Sequence, residues 1–192
     1  MTLVQAMTGD AGQQQENIFR RAAIDELLFG IPGRQAYAVV DGASMPGLLQ
    51  KLANYPADHC CLLRGELPQE LADAAPYLIK LELYDHITEW LLNVWDHHAG
   101  IFAVVDAQMS FDAVRRHFRR FLVISGPGNA RLYFRYYDPR ILRVCLPTCN
   151  VAQTEFIFGP VDLYITAGNE PRTIAKFWSG KDGVHHQQLP YH

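Results

Sequence analysis

Apolar positions along this chain recur at two spacings, every three to four residues or every second residue, and the changes of spacing mark the elements. Over residues 16–29, Phe19, Ala22, Ala23 and Leu27, with Ile18 and Ile24 beside them, make one helical face, and Gly30 and Pro32 supply the stop. A strand is expected over residues 35–41, then a helix capped by Ser44 and reaching about Asn54, with Pro46 tolerated in its first turn. His59-Cys60-Cys61-Leu62-Leu63 has the composition of a buried strand, residues 69–75 that of a short helix, and residues 77–84 that of another strand. The clearest helix follows. Ile87, Trp90, Leu91, Val94 and Trp95 share one face, with Asp85 placed to cap it, so both tryptophans are expected in the core.

Residues 100–106 predict a strand, and Ser110 caps a helix whose Phe111, Val114 and Phe118 face inward. Ala38-Val39-Val40-Asp41 before Ser44 is echoed by Ala103-Val104-Val105-Asp106 before Ser110, two copies of strand, aspartate, turn and capped helix. A hairpin is expected from residues 121–125 and 131–135 around Gly126-Pro127-Gly128-Asn129. The stretch Tyr133-Phe134-Arg135-Tyr136-Tyr137-Asp138-Pro139-Arg140 ends that hairpin and starts a helix, Asp138 and Pro139 being the N-cap and first-turn residues. Helices over 141–146 and 151–156 and a strand pair over 161–166 and 173–178 complete the reading, with Gly159-Pro160 and Gly168-Asn169-Glu170-Pro171 as breaks. Strands buried by helices predict an α/β single domain with a mixed β-sheet flanked by helices. The folded part is expected over residues 14–179, with residues 1–13 and 180–192 as flexible tails.

Composition narrows the class. A chain of 192 residues, 49% hydrophobic and 19% charged, is long enough for one well-formed core and too apolar for disorder. No apolar run approaches the ~20 residues of a spanning helix, so no membrane partner is implied, and the start lacks a signal peptide, which predicts a cytoplasmic location. A net charge of −3 lacks the basic footprint of nucleic-acid binding. The four cysteines, Cys60-Cys61 and Cys145-x-x-x-Cys149, match neither a disulfide framework nor paired zinc motifs and read as reduced thiols.

Candidate chemistry is sparse. Asp41 and Asp106 end two strands that, if parallel, would place both carboxylates at the ligand-binding edge of an open sheet, to hold Mg²⁺ or act as an acid and base pair, the basis for a small hydrolase or transferase. The alternative is that each is a turn residue bonding its own backbone. Asp41-Gly42-Ala43 lacks the further glycines or Lys-Ser/Thr of a phosphate cradle, so no cofactor is implied. Cys145 or Cys149 with His117 would make a thiol-imidazole pair if the fold joined them. The adjacent pairs His97-His98 and His185-His186 lack the i, i+4 spacing of a helical metal site. Arg115, Arg116, Arg119 and Arg120 form a dense basic patch, either a docking surface for an acidic partner or phosphate or cations complementing a helix C-terminus. In the aromatic corner, Tyr133, Arg135, Tyr136, Tyr137 and Arg140 are of the types that dominate binding hot spots and equally of the types that brace a corner.

Five segments in order resemble a known family: Tyr37-Ala38-Val39-Val40-Asp41-Gly42-Ala43, Ala75-Pro76-Tyr77-Leu78-Ile79, Gly100-Ile101-Phe102, the helix over 110–119 with His117, and Phe134-Arg135-Tyr136-Tyr137-Asp138-Pro139-Arg140. They look like the type VI secretion effector chaperone or adaptor (Tap) proteins that carry the domain of unknown function 4123, over about residues 36–161. The resemblance implies a non-enzymatic cytoplasmic protein that binds an effector toxin and helps load it onto the VgrG spike. Many such proteins continue into a sizeable C-terminal lobe, so this chain is expected to be a one-lobe adaptor. Its family motif falls on Arg135, Tyr136, Asp138, Pro139 and Arg140, with Asp138 expected to be structural; the expected partner-binding residues are Tyr133, Arg135, Tyr136, Tyr137, Arg140, Arg115, Arg116 and Arg119.

Overall fold

A computed structural model describes residues 3–192, with side chains described from residue 14 onward apart from residues 96 and 127. In chain order the main elements are α1 (Leu3–Phe29), β1 (Arg34–Asp41), α2 (Leu48–Asn54), β2 (His59–Cys61), α3 (Gln69–Ala74), β3 (Pro76–Leu81), α4 (His86–Asn93) and β4 (Gly100–Asp106). Then come α5 (Phe111–Arg120), β5 (Val123–Ser125), β6 (Arg131–Tyr133), α6 (Pro139–Cys145), α7 (Val151–Phe158), β7 (Val161–Ala167), β8 (Thr173–Gly180) and β9 (Gly183–Pro190). The expected α/β single domain is present: seven strands in the order β2-β3-β1-β4-β7-β8-β9 lie between helices, and β5 and β6 form a separate hairpin.

Alternation along the central strands explains the three layers. In β1, Ala36, Ala38 and Val40 join the apolar layer beneath α1, α2 and α4, while Tyr37 and Val39 join the layer beneath α5, α6 and α7. A strand covered on both faces carries apolar side chains on both, which is why residues 36–40 of β1, 76–79 of β3 and 101–105 of β4 read as unbroken hydrophobic runs. Such runs are typical of parallel sheets, yet every neighbouring pair here is antiparallel. β1 lies between β3 and β4 with Val40 opposite both Tyr77 and Gly100. The sheet therefore lacks the parallel pairs of a mixed sheet.

Helix starts follow the capping chemistry at Asp85, Ser110 and Asp138, each accepting a hydrogen bond from a backbone N–H of the first turn. At α2 the expectation changes. Gly42–Ser44 form a short 3-10 turn, and α2 begins after Gly47, whose positive φ of 83° suits glycine. Ser44 donates instead to Asp41 at 2.7 Å. Two further stretches differ from the expected tails: the backbone is helical from Leu3, and residues 183–190 form β9, paired along its length with β8. Polar residues at the rim of a sheet carry no periodic apolar signal, so pairing with β8 supplies what the pattern could not show. Among the described residues no helix is long and apolar enough to cross a membrane.

Candidate functional site

The aromatic corner is built where β6 hands the chain to α6. Phe134 N–H donates to Leu122 O at 2.9 Å, extending the hairpin by one rung, and the chain then dives into the core. Tyr136 is fully enclosed. Its ring lies 4.3 Å from that of Phe121 and stacks on Phe118, and its hydroxyl donates to Phe118 O at 2.9 Å near the C-terminal end of α5, where helix carbonyls lack intrahelical donors. Burial pushes its phenol far above the ordinary range. A residue with no exposed surface presents nothing to a partner, so Tyr136 belongs to the core rather than to an interface. Tyr137 is also largely buried, with the Arg135 guanidinium 6.0 Å from its ring centre.

Arg135 turns back across the fold. Its Nη2 donates to Asp41 Oδ2 at 2.7 Å, the same oxygen that accepts the Ser44 hydroxyl. Asp41 is buried while Arg135 is half exposed, so the end of β1 and the corner are held together by one ion pair at the surface's edge. Arg140 closes onto Asp138 with Nε at 3.0 Å and Nη2 at 2.7 Å, while its own N–H donates to the same carboxylate. Burial alone would raise the Asp138 carboxyl, but the bonds from Arg140 and the charge of Arg135 hold it below the usual range. The N-cap is thus ionised and doubly used. Tyr133 and Arg140 are the members of the corner that face solvent most openly.

The model of the domain of unknown function (DUF4123) matches residues 36–155, more than half of the chain. The chain belongs to this family. The family is associated with type VI secretion. No curated protein and no solved structure matches the chain.

Within the DUF4123 domain, β1 and the corner, remote in sequence, meet through Asp41 and Arg135. Gly42 has a packing reason: a Cβ there would lie 2.4 Å from Asp73 O and 2.6 Å from Ala75 O, where the chain passes α3 and β3. Asp106 lies elsewhere. Because β1 and β4 are antiparallel, Asp106 sits opposite Arg34, seven residues along β1 from Asp41, roughly 23 Å at ~3.3 Å per residue. It accepts the Gln108 N–H as a turn residue and pairs with Arg34 at 3.2 Å. The two aspartates share no site, and the acid-base pair that a hydrolase or transferase would need is not assembled.

The arginines of α5 divide. Arg119 donates to the carbonyls of Cys61, Leu62 and Leu63, at 2.7, 3.1 and 3.3 Å, and so braces the end of β2. Arg115 pairs with Asp112 at 2.9 Å, Arg120 donates to Phe156 O at 3.0 Å with its guanidinium 4.5 Å from the Phe156 ring centre, and Arg116 is exposed. His117 is buried between these arms. One ring nitrogen lies 2.9 Å from Ile157 O, the acceptor also of the Tyr164 hydroxyl at 2.8 Å, and burial, with the nearby Arg120 charge, lowers its pKa to about 4 against the pull of the Ile157 carbonyl.

Neither thiol meets His117. Cys149 Sγ donates to Cys145 O at 3.4 Å, and burial pushes both thiols up. His185 pairs with Asp182 and stacks on Trp178, while its neighbour His186 stacks on Phe177. Among the described residues no three metal-ligating side chains come together. Sequence reasoning passed over the loop after β2, whose Arg64 and leucines gather beside Tyr133. No periodicity marks a loop, and that gathering is a product of tertiary contact alone.

Proposed function

We propose that this protein is a non-enzymatic adaptor that binds an effector toxin in the cytoplasm and helps load it onto the VgrG spike of a type VI secretion system. The observation that carries the reading is the DUF4123 match over residues 36–155. The corner supports it. Tyr133 and Arg140 offer an exposed aromatic ring and an exposed guanidinium on a backbone braced by Tyr136, Asp138 and the Asp41–Arg135 pair, which suits rigid surface recognition. Arg116 adds an exposed cation on α5.

The test is co-expression with the effector encoded beside the gene, followed by co-purification and by export measurements in the parent bacterium. Deletion of the gene is expected to abolish export of that effector and leave assembly of the secretion apparatus intact. Joint replacement Tyr133→Ala with Arg140→Ala is expected to weaken co-purification without altering the melting temperature. Export that continues unchanged in the deletion strain overturns the adaptor reading; unchanged co-purification by the double variant removes the corner from the interface.

A further inference from the structure

A groove of about 560 Å³ runs beside the corner, between the loop that follows β2 and the β5–β6 hairpin. Leu67 comes from the loop and Leu71 from α3, and Val123, Ile124 and Tyr133 from the hairpin, over a floor that includes buried Leu62. Leu71, Ile124 and Tyr133 are exposed, an unusual concentration of large apolar side chains in one concavity. Its charged residues are all of one sign: Arg64, Arg119, Arg120 and Arg131 line it, and no carboxylate does. Among the described residues none of these four guanidiniums has a carboxylate partner, although the chain as a whole is net negative.

The neighbouring sheet edge narrows how a ligand would bind. β2 is the terminal strand, where an incoming strand would normally pair. Leu62 N–H donates to Pro76 O at 2.8 Å, but proline has no N–H to return, and Arg119 Nε supplies the donor for Leu62 O instead. Arg119 also occupies the carbonyls of Cys61 and Leu63. An incoming strand at this end would compete with Arg119 for the Cys61 and Leu63 carbonyls, whereas the side chains of the groove are open.

We propose that this groove is a docking site for an acidic segment of a partner protein, one that carries leucine-like anchors between carboxylates. The anchors fill the apolar floor while the carboxylates meet Arg64 and Arg131 at the open rim, where both are exposed. A nucleic acid satisfies the arginines but leaves the leucine and isoleucine surface without a complement, whereas an acidic apolar segment satisfies both. The proposal rests on the adaptor reading to the extent that the segment belongs to the cargo; the groove's chemistry is testable without cargo.

The probe is a short fluorescent synthetic peptide of leucine and glutamate, compared by anisotropy with a version bearing lysine for glutamate, a version bearing serine for leucine, and an oligothymidylate. Saturable binding of the Leu-Glu peptide alone is expected, falling about tenfold or more when salt is raised from low to molar concentration, because screening shortens to about 3 Å at 1 M. Arg64→Glu with Arg131→Glu is expected to remove binding, Arg64→Gln with Arg131→Gln to weaken it about tenfold, and Leu71→Ser to weaken it at unchanged melting temperature. Equal binding of all peptides, tighter binding of the oligothymidylate, or indifference to these substitutions overturns the proposal. Peptide binding with unaffected export in the deletion strain leaves the groove standing and removes the adaptor reading; lost export without peptide binding does the reverse.

Discussion

His117 shows how one enclosed side chain sets a property of the protein. Its folded pKa of about 4 lies below the ordinary 6.5, so the unfolded chain binds more protons between those values. Stability is therefore complete above about pH 6.5 and declines as pH falls towards 4, by about 3 kcal/mol at ~1.4 kcal/mol per unit. Urea unfolding followed from pH 7 to pH 4 measures this, and His117→Gln is expected to flatten that part of the profile. At Arg135 the burden falls on its partner: Arg135→Ala leaves the buried Asp41 carboxylate with Ser44 and is expected to cost about 1–3 kcal/mol in chemical denaturation. Tyr136→Phe loses the bond to Phe118 O and is expected to cost about 1 kcal/mol. The composition of the corner was plain in the sequence, but Tyr and Arg serve cores, braces and interfaces alike. Burial alone separates Tyr136 from Tyr133.

Elements were legible where their signals are local. Asp138-Pro139 starts α6 as expected because an N-cap acts within one turn, and Asp138→Ala is expected to lower stability by about 0.5–2 kcal/mol, read as a shift of the urea midpoint. The same logic misplaced Ser44. Its hydroxyl finds Asp41 three residues back, and the helix waits for Gly47, whose left-handed backbone the pattern of apolar residues does not report. Gly159 is a further case: with φ 47°, a Cβ there would lie 2.8 Å from the His117 ring. Gly159→Ala therefore combines backbone strain with a clash against a neighbour distant in sequence.

At the scale of the whole molecule, the family match ends inside α7, yet the sheet continues through β7, β8 and β9. β7 pairs with β4 from Phe102 opposite Ile165 to Val105 opposite Val161, and Tyr164 and Phe177 complete the layer beneath α5 to α7. A fragment of residues 36–155 would expose β4 as an edge and lose Phe158, Val161, Tyr164 and Phe177 from that layer and Ile24 and Leu28 from the other. It is expected to aggregate or remain unfolded by circular dichroism, whereas a fragment of residues 14–192 keeps every strand.

By itself the sequence determined the number and order of most elements, the caps of α4, α5 and α6 and the buried faces of α4 and α5, because periodicity and capping depend on neighbours a few residues away; on α1 the expected Phe19 and Ala22 are exposed, and Ile24 and Leu28 are buried instead. It also carried the segments on which the family resemblance rests, and they lie within the matched residues 36–155. The direction of neighbouring strands, the place of residues 183–190, the separation of Asp41 from Asp106 and the gathering of Arg64, Arg131 and Leu71 beside Tyr133 were decided only in the tertiary structure. A strand covered on both faces is equally apolar whichever way its neighbour runs, and a groove between a loop and a distant hairpin leaves no period in the sequence.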